Sequence, residues 1–349
     1  MLAEPLDVVI GVDTHKRTHT AAAVGSTGAL LEHLTVPADR AGYRRLIAFG
    51  EGYPKSRVWA VEGTATFGAG LTTALLARSE RVVEVDRPQR PGRRAGVKSD
   101  DIDAVRAARQ VLAGVGVSEP RCRGERQAIR VLLATRAQAI EFRTRAISAL
   151  HALVTSAPDS LRERHLDLPL GQLLRRCAAL RSSSRSTAEE HATVLAMRAT
   201  ARRALACEQE AGELEVQIEA LVRRLAPGLL DQLGVGPIVA GQVLASWSHR
   251  GRVRCEAAFA KLAGVAPIEA SSGMVIRHRL NRCGDRQLNR ALHTIVLVRM
   301  RQDPTTKAYV QRRLTEGKTP REIKRCLKRY VARQLFRQLE ALPTGLDET

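Results

Sequence analysis

The sequence predicts a mixed α/β N-terminal domain, a long helical arm and a mainly helical C-terminal domain. Three observations carry this reading. Strand and helix signals alternate over residues 7–113. Ala, Leu, Arg and Glu with apolar spacings of three and four fill residues 121–225. Turn residues at Gly234, Gly236 and Pro237 then reset the pattern. A chain of 349 residues exceeds what one hydrophobic core usually serves, so a division at about 1–120, 121–226 and 227–349 is expected.

The β-branched run at residues 8–12 reads as a central strand, and residues 18–24 and 29–36 flank the turn residues Gly25, Ser26 and Gly28, giving three strands in meander. A helix at 38–49, a short strand at 57–61, a helix at 68–78, a strand at 82–85 and a helix at 100–112 follow. Ile129, Leu132 and Leu133, then Ile140, Ile147 and Leu150, and later Leu214, Ile218, Leu221 and Leu225 mark long helices, an antiparallel coiled-coil arm of the kind that joins subunits. Pro158, Pro169, Gly171 and the serine-rich run 182–186 read as a loop at its tip. The C-terminal part reads as helices, a Gly/Ser segment and a basic pair of helices.

Aromatic residues at 3% leave the core to aliphatic side chains. The formal charge of +20 points to a polyanionic partner. A GC-rich genome inflates arginine everywhere, and there are 48 arginines to eight lysines. The charge is nonetheless local: residues 277–337 hold 18 basic and four acidic residues, the footprint of nucleic-acid binding. Six scattered cysteines without a CxxC pair exclude a zinc site or a disulfide frame and suit a reducing compartment. The opening MLAEPLDVVIGVD has no basic leader and reads as a first strand, and no segment approaches the roughly 20 apolar residues of a membrane span. A cytoplasmic protein with no membrane partner is expected.

Four carboxylates fall where an α/β domain presents functional side chains. Asp13 closes the first strand, Glu62 closes the fourth, and Asp100 and Asp103, three apart at a helix start, share one face from which Asp101 points away. Singly, such acids are ordinary turn formers or first-turn residues. Together they form an oxygen-rich cluster suited to Mg²⁺, and paired hard cations clamp the attacking and leaving oxygens of a phosphodiester displacement. His15 and His19 have a spacing that suits a metal only on a helix, so solvated or packing roles are expected for them.

The segments Gly11-Val12-Asp13-Thr14, Val61-Glu62-Gly63-Thr64 and Lys98-Ser99-Asp100-Asp101-Ile102-Asp103-Ala104 follow the strand, strand, helix placement of ribonuclease-H-like nucleases. More specifically, the sequence resembles the DEDD transposases of the insertion-sequence-110 group, bridge-RNA-guided recombinases that join a RuvC-like domain, a helical arm and a C-terminal transposase domain. Where that family has Glu-x-Thr-Gly and then Tyr, this chain has Glu62-Gly63-Thr64-Ala65-Thr66-Phe67. Leu233-Gly234-Val235-Gly236-Pro237 resembles a helix-hairpin-helix turn that meets phosphate. The stretch from Phe259 to Pro267, then Ser271-Ser272-Gly273, then Gly284-Asp285-Arg286-Gln287-Leu288-Asn289-Arg290-Ala291-Leu292 reproduces the family's C-terminal landmarks in order.

The resemblance implies Ser272 as the nucleophile, Asp13, Glu62, Asp100 and Asp103 as Mg²⁺ ligands, and a 5′-phosphoserine intermediate. It also implies donor and target DNA chosen by a structured noncoding RNA, and a dimer or tetramer in which Ser272 of one subunit completes the carboxylate site of another. Arg277, Arg279 and Arg282 are placed to bind the scissile phosphate, and Lys324, Arg325 and Lys328 to track the backbone. With so few aromatics, backbone contact is expected to outweigh base stacking. Two alternatives remain open at this point. One is a junction resolvase that uses water, for which Ser272 is dispensable, and the other is a non-catalytic nucleic-acid-binding protein.

Overall fold

The computed structural model describes residues 6–85, 100–181, 187–272, 274, 278–281 and 284–343, and of Asp100 the backbone alone. The chain divides into two compact units, Met1–Cys122 with Ser248–Arg254, and Arg123–Trp247 with Cys255–Thr349.

The first unit runs β1 (Val8–Thr14), β2 (Thr18–Gly25), β3 (Leu30–Pro37), α1 (Arg40–Glu51), β4 (Val58–Glu62), α2 (Ala69–Leu76), β5 (Val82–Val85), α3 (Asp100–Leu112) and β6 (Val117–Ser118). The described strands form one mixed sheet in the order β3-β2-β1-β4-β5-β6. β1, β4 and β5 are parallel, whereas β2, β3 and β6 pair antiparallel with their neighbours. Alternation sorts each strand onto two faces. Val8, Ile10, Val12, Trp59 and Val61 pack with Leu46 and Ile47 of α1 and Leu71 and Leu75 of α2. Val9, Val58, Ala60, Val83 and Val85 pack with Ala104, Val105, Ala108 and Val111 of α3. The central strands are buried on both sides, which is why they read as continuous apolar runs.

Gly11 sets how closely α3 approaches the sheet. A Cβ there would collide with the carbonyl oxygen of Ala104 and crowd the amide of Ala108. At the other end of the helix, Arg109 Nε donates to the carbonyl of Gly28, in the turn between β2 and β3 (3.0 Å). That turn lies beside the start of β1, so α3 begins at the edge where β1 and β4 end. Gly11→Val is therefore expected to cost about 3 kcal/mol or more, the upper end for overpacking against backbone. Urea unfolding measures it, and a variant as stable as the parent contradicts the contact.

The second unit contains α4 (Gly124–Thr155), α5 (Asp159–His165), α6 (Leu170–Ala178), α7 (Ala188–Leu225), a 3₁₀ turn at Pro227–Leu229, α8 (Pro237–Trp247), α9 (Glu256–Leu262), β7 (Ile268–Glu269), β8 (His278–Arg279), α10 (Arg286–Gln302), α11 (Pro304–Thr315) and α12 (Pro320–Glu340). Ion pairs Arg136–Glu215 (2.7 Å), Arg143–Glu208 (3.2 Å) and Arg224–Glu125 join α4 to α7. As the α4 partner moves forward the α7 partner moves back, so the two long helices are antiparallel. Gly241 lets α8 pack against them, since its added Cβ would press on Ile218 and Ile129.

Two expectations need correction. The prolines at 158 and 169 do not mark a loop, because each stands immediately before a short helix, α5 or α6. Proline's fixed φ suits a helix start, and Leu173, Leu174 and Cys177 of α6 bury against Met197 and Ala201 of α7. The serine-rich run 182–186 lies outside the described residues. The basic C-terminal pair is three helices, with Asp303 and Pro304 opening α11 and a Thr319/Glu322 capping box opening α12.

Candidate functional site

Asp13 and Glu62 are brought together by strand register. Val12 of β1 pairs with Val61 of β4, so the next residues, Asp13 and Glu62, stand side by side at the ends of parallel strands. In phase with Val9 and Gly11, and with Val58 and Ala60, both face α3. The Asp13 residue is 8% exposed. Thr14 Oγ1 donates to the carbonyl of Glu62 (2.8 Å), tying the two strand ends together. His15 Nε2 lies 3.8 Å from Asp13 Oδ2.

Asp100 and Asp103 occupy the first turn of α3, at the same sheet edge. Asp103 accepts from Arg106 Nη1 at 2.8 Å, while the side chain of Asp100 lies outside the described residues. Among the described residues no three His, Cys, Asp or Glu side chains gather as a ready metal cage. The donor set nonetheless fits a hard divalent cation in kind, with only carboxylate oxygens and one of them well buried.

His19 is buried in β2, stacked on Tyr43 (5.7 Å, 9° between rings), and donates from Nδ1 to the Thr18 carbonyl (2.9 Å), so it has the packing role expected of it. Burial holds its pKa below the ordinary 6.5. The unfolded chain thus takes up this proton first as pH falls. The stability owed to neutral His19 is complete above about pH 6.5 and is lost as pH drops through the lower folded value. His19→Gln is expected to flatten the fall of the urea midpoint between about pH 7.5 and 5.5, and an unchanged slope would exclude His19 as its source.

In the second unit, β7 and β8 form a two-strand hairpin with Ile268 opposite Arg279 and Glu269 opposite His278. Ser271 and Ser272 are exposed in the connection between them. Gly284 makes this region possible, because a Cβ there would run into the backbone of Gly264, itself at φ +65°. Asp285 caps α10 by accepting from the amides of Gln287 and Leu288 (2.9 and 3.0 Å), and takes a hydrogen bond from Ser246 (2.7 Å). Asn289 donates to the carbonyl of Ala263 (2.7 Å) and accepts from Lys328 Nζ (2.8 Å). The Gly-Asp-Arg-Gln-Leu-Asn stretch is therefore a structural joint that ties α10 to the ends of α8 and α9 and to α12.

Along that joint runs a groove of about 1080 Å³. Arg279, Lys324, Arg325 and Lys328 line it, as do Arg286, Arg313, Lys318, Arg321 and Arg329, with Glu322 as the acidic exception. Burial lowers the pKa of Lys328, and burial with the nearby Lys328 and Lys324 lowers that of His293, which also faces the groove. So dense a set of like charges repels itself and is relieved by bound phosphate. Arg277 and Arg282 lie outside the described residues. Gly234, at φ +86°, packs on α10 at Ile295, and Arg299 Nε donates to the Leu233 carbonyl (3.0 Å), so this glycine serves a packed turn.

Residues 10–157 match a family described as transposase, the DEDD type of the IS110 group, and residues 228–311 match the transposase IS116/IS110/IS902 family. These spans take in Asp13, Glu62, Asp100, Asp103 and Ser272. The chain belongs to the IS110 family of transposases. A 42 kDa protein of insertion element IS900 from Mycobacterium paratuberculosis is 28% identical over 91% of each chain. A 43.6 kDa protein of insertion element IS110 from Streptomyces coelicolor is 32% identical over 38% of this chain and 36% of its own. Membership makes this transposase a DNA-binding, DNA-recombining enzyme. None of its described helices is long and apolar enough to cross a membrane.

Sequence reading missed Asn289 as a joint and His293, Arg286 and Arg321 as groove walls. Asn289 and Arg286 stand inside a quoted motif, whereas His293 and Arg321 reach the groove only through packing of α10 and α12.

Proposed function

We propose that this transposase cuts and rejoins DNA with a carboxylate-held divalent cation and a serine nucleophile, on an α/β domain of the ribonuclease-H-like, RuvC type. The observation that carries the proposal is the side-by-side placement of Asp13 and Glu62 beneath the acidic first turn of α3. The sheet order, with an antiparallel β1–β3 meander beside parallel β4 and β5, supports the fold assignment.

Asp13, Glu62, Asp100 and Asp103 are the residues that hold the cation, Mg²⁺ being the hard ion their oxygens suit. When bound it polarises a phosphodiester oxygen. Asp13 is fixed by its strand, and the Thr14 hydroxyl on the Glu62 carbonyl keeps the second strand end in step. Asp103 joins by leaving Arg106, its half-buried i, i+3 partner.

Ser272 Oγ then forms a bond to phosphorus as the bond from phosphorus to the 3′ oxygen breaks. The hydroxyl proton leaves Oγ and the 3′ oxygen takes up a proton, giving a 3′-hydroxyl and a 5′-phosphoserine. Attack by another 3′-hydroxyl reverses the step and rejoins the strands. Arg279, Lys324, Arg325 and Lys328 hold flanking phosphates, and Arg277 and Arg282, close to Arg279 in sequence, are further candidates for the same role. Exposed Val131, Phe142 and Val216 on α4 and α7 support assembly of two or four copies through the coiled-coil arm. A structured noncoding RNA supplies target and donor choice, for which the groove offers ample phosphate contact.

The test incubates the full chain with a plasmid carrying the DNA that flanks its reading frame, with and without RNA transcribed from that DNA. Strand cleavage that needs both a divalent cation and the RNA is expected. Cleavage indifferent to chelator contradicts the metal role, and cleavage indifferent to RNA contradicts guidance.

A further inference from the structure

One cavity in the C-terminal helices is unexplained by the phosphate track. It holds about 230 Å³ between α10, α11 and α12, walled by Val296, Leu327 and Val331 and edged by Tyr309, Tyr330 and Thr305. The space is open to solvent on one side, and α11, which buries none of its residues, covers it without filling it.

Its rim is aromatic in a chain that has only four tyrosines, five phenylalanines and two tryptophans. The rings of Tyr309 and Tyr330 meet edge to face (5.8 Å, 87°), and Arg312 lies over the Tyr309 ring (5.5 Å). At one end Arg299 donates to Gln334 Oε1 (2.7 Å) and Gln334 Nε2 to Gln232 Oε1 (2.6 Å). Burial, with Cys326 and Tyr330 nearby, pushes the Tyr309 hydroxyl up to about 12, so it remains a donor at working pH.

Tyr330 is the link. It is 52% exposed and borders both this cavity and the basic groove. A ligand entering from the groove therefore carries negative charge outside and presents something flat, π-faced and partly polar inside. The volume is below the roughly 300–1,000 Å³ of drug-sized sites, which suits one heterocycle. Bases in a duplex expose edges and not faces, so the heterocycle must be unpaired.

We infer that the Tyr309–Tyr330 cavity receives a single unpaired nucleobase from the strand whose phosphates lie along the α12 groove, with the Tyr330 ring as its stacking platform. This rests on the groove being a phosphate track and adds a preference for looped or single-stranded nucleic acid at that point. The same base chemistry is offered by RNA and by DNA. One stacked base at this point adds to the backbone contact that a chain with so few aromatics is expected to make.

The test measures binding of the full chain to a 12-nucleotide single-stranded RNA, the matching single-stranded DNA and the DNA duplex, each carrying one 2-aminopurine. For wild type, at least one single strand should bind with quenched fluorescence, and the strand favoured identifies the source. Tyr330→Ala should weaken that strand about tenfold and relieve the quenching, as expected for loss of one stacked base. Its duplex affinity and salt slope should be unchanged because the phosphate contacts remain. Tyr330→Phe should keep wild-type affinity, which separates stacking from misfolding. Equal weakening of duplex and single strands, or no change in either, overturns the inference while leaving the groove reading intact. Failure of wild type to bind any of the three overturns both.

Discussion

Asp13→Asn is expected to abolish strand cleavage while leaving nucleic-acid binding within about twofold of wild type, because the phosphate-binding charge is concentrated in the C-terminal groove. The substitution keeps size and one acceptor oxygen at a buried strand end but replaces the other with a donor and removes the negative charge, so the fold is expected to persist. Loss of an outer partner of a metal ligand typically costs about 10- to 100-fold. Loss of a ligand itself, at the most buried of the described carboxylates, should exceed that. Glu62→Gln should behave alike, since Asp13 and Glu62 stand side by side and no other described carboxylate shares that register. Cleavage rates with a saturating divalent cation decide the matter, and a wild-type rate for Asp13→Asn removes the carboxylates from the chemistry.

Ser272→Ala is expected to have an effect as large by a different route. It deletes one hydroxyl from an exposed hairpin connection, where a surface substitution ordinarily changes stability by no more than about 0.5 kcal/mol. Folding and nucleic-acid binding should therefore match wild type, and recombination should vanish. Ser271→Ala, one residue away, should reduce activity only partly. The contrast matters because a structural role for the hairpin treats the two serines alike, whereas a nucleophile does not. Cleavage by Ser272→Ala at the wild-type rate favours a water-using nuclease.

The parallel strands were legible because both of their faces are buried and their sequence is continuously apolar. The acidic edge was legible because Asp13 and Glu62 end those strands and Asp103 opens a helix. The correction at α5 and α6 has a simple cause. Pro158 and Pro169 are breaks when read from the preceding helix and starts when read from the following one, and the chain uses the second property. The two-residue strands β6, β7 and β8 are too short to show a period. Their existence depends on partners such as Arg279 opposite Ile268, which a local pattern does not encode. The groove was half legible. Its charge showed in residues 277–337, but the opposition of Asn289 to Lys328, and of Tyr309 to Tyr330, depends on how three helices pack. Composition alone argued against base stacking, and only the folded chain places two of its four tyrosines at one rim.

The most direct test of the central claim is whether the reaction leaves DNA covalently joined to Ser272. Wild-type protein reacted with a nicked substrate that stalls rejoining, then denatured and digested, is expected to yield a peptide carrying a 5′-phosphonucleotide on Ser272, only when a divalent cation is present. Asp13→Asn and Ser272→Ala should yield none. Cleavage that leaves free 5′-phosphate ends and no protein–DNA adduct contradicts the serine mechanism.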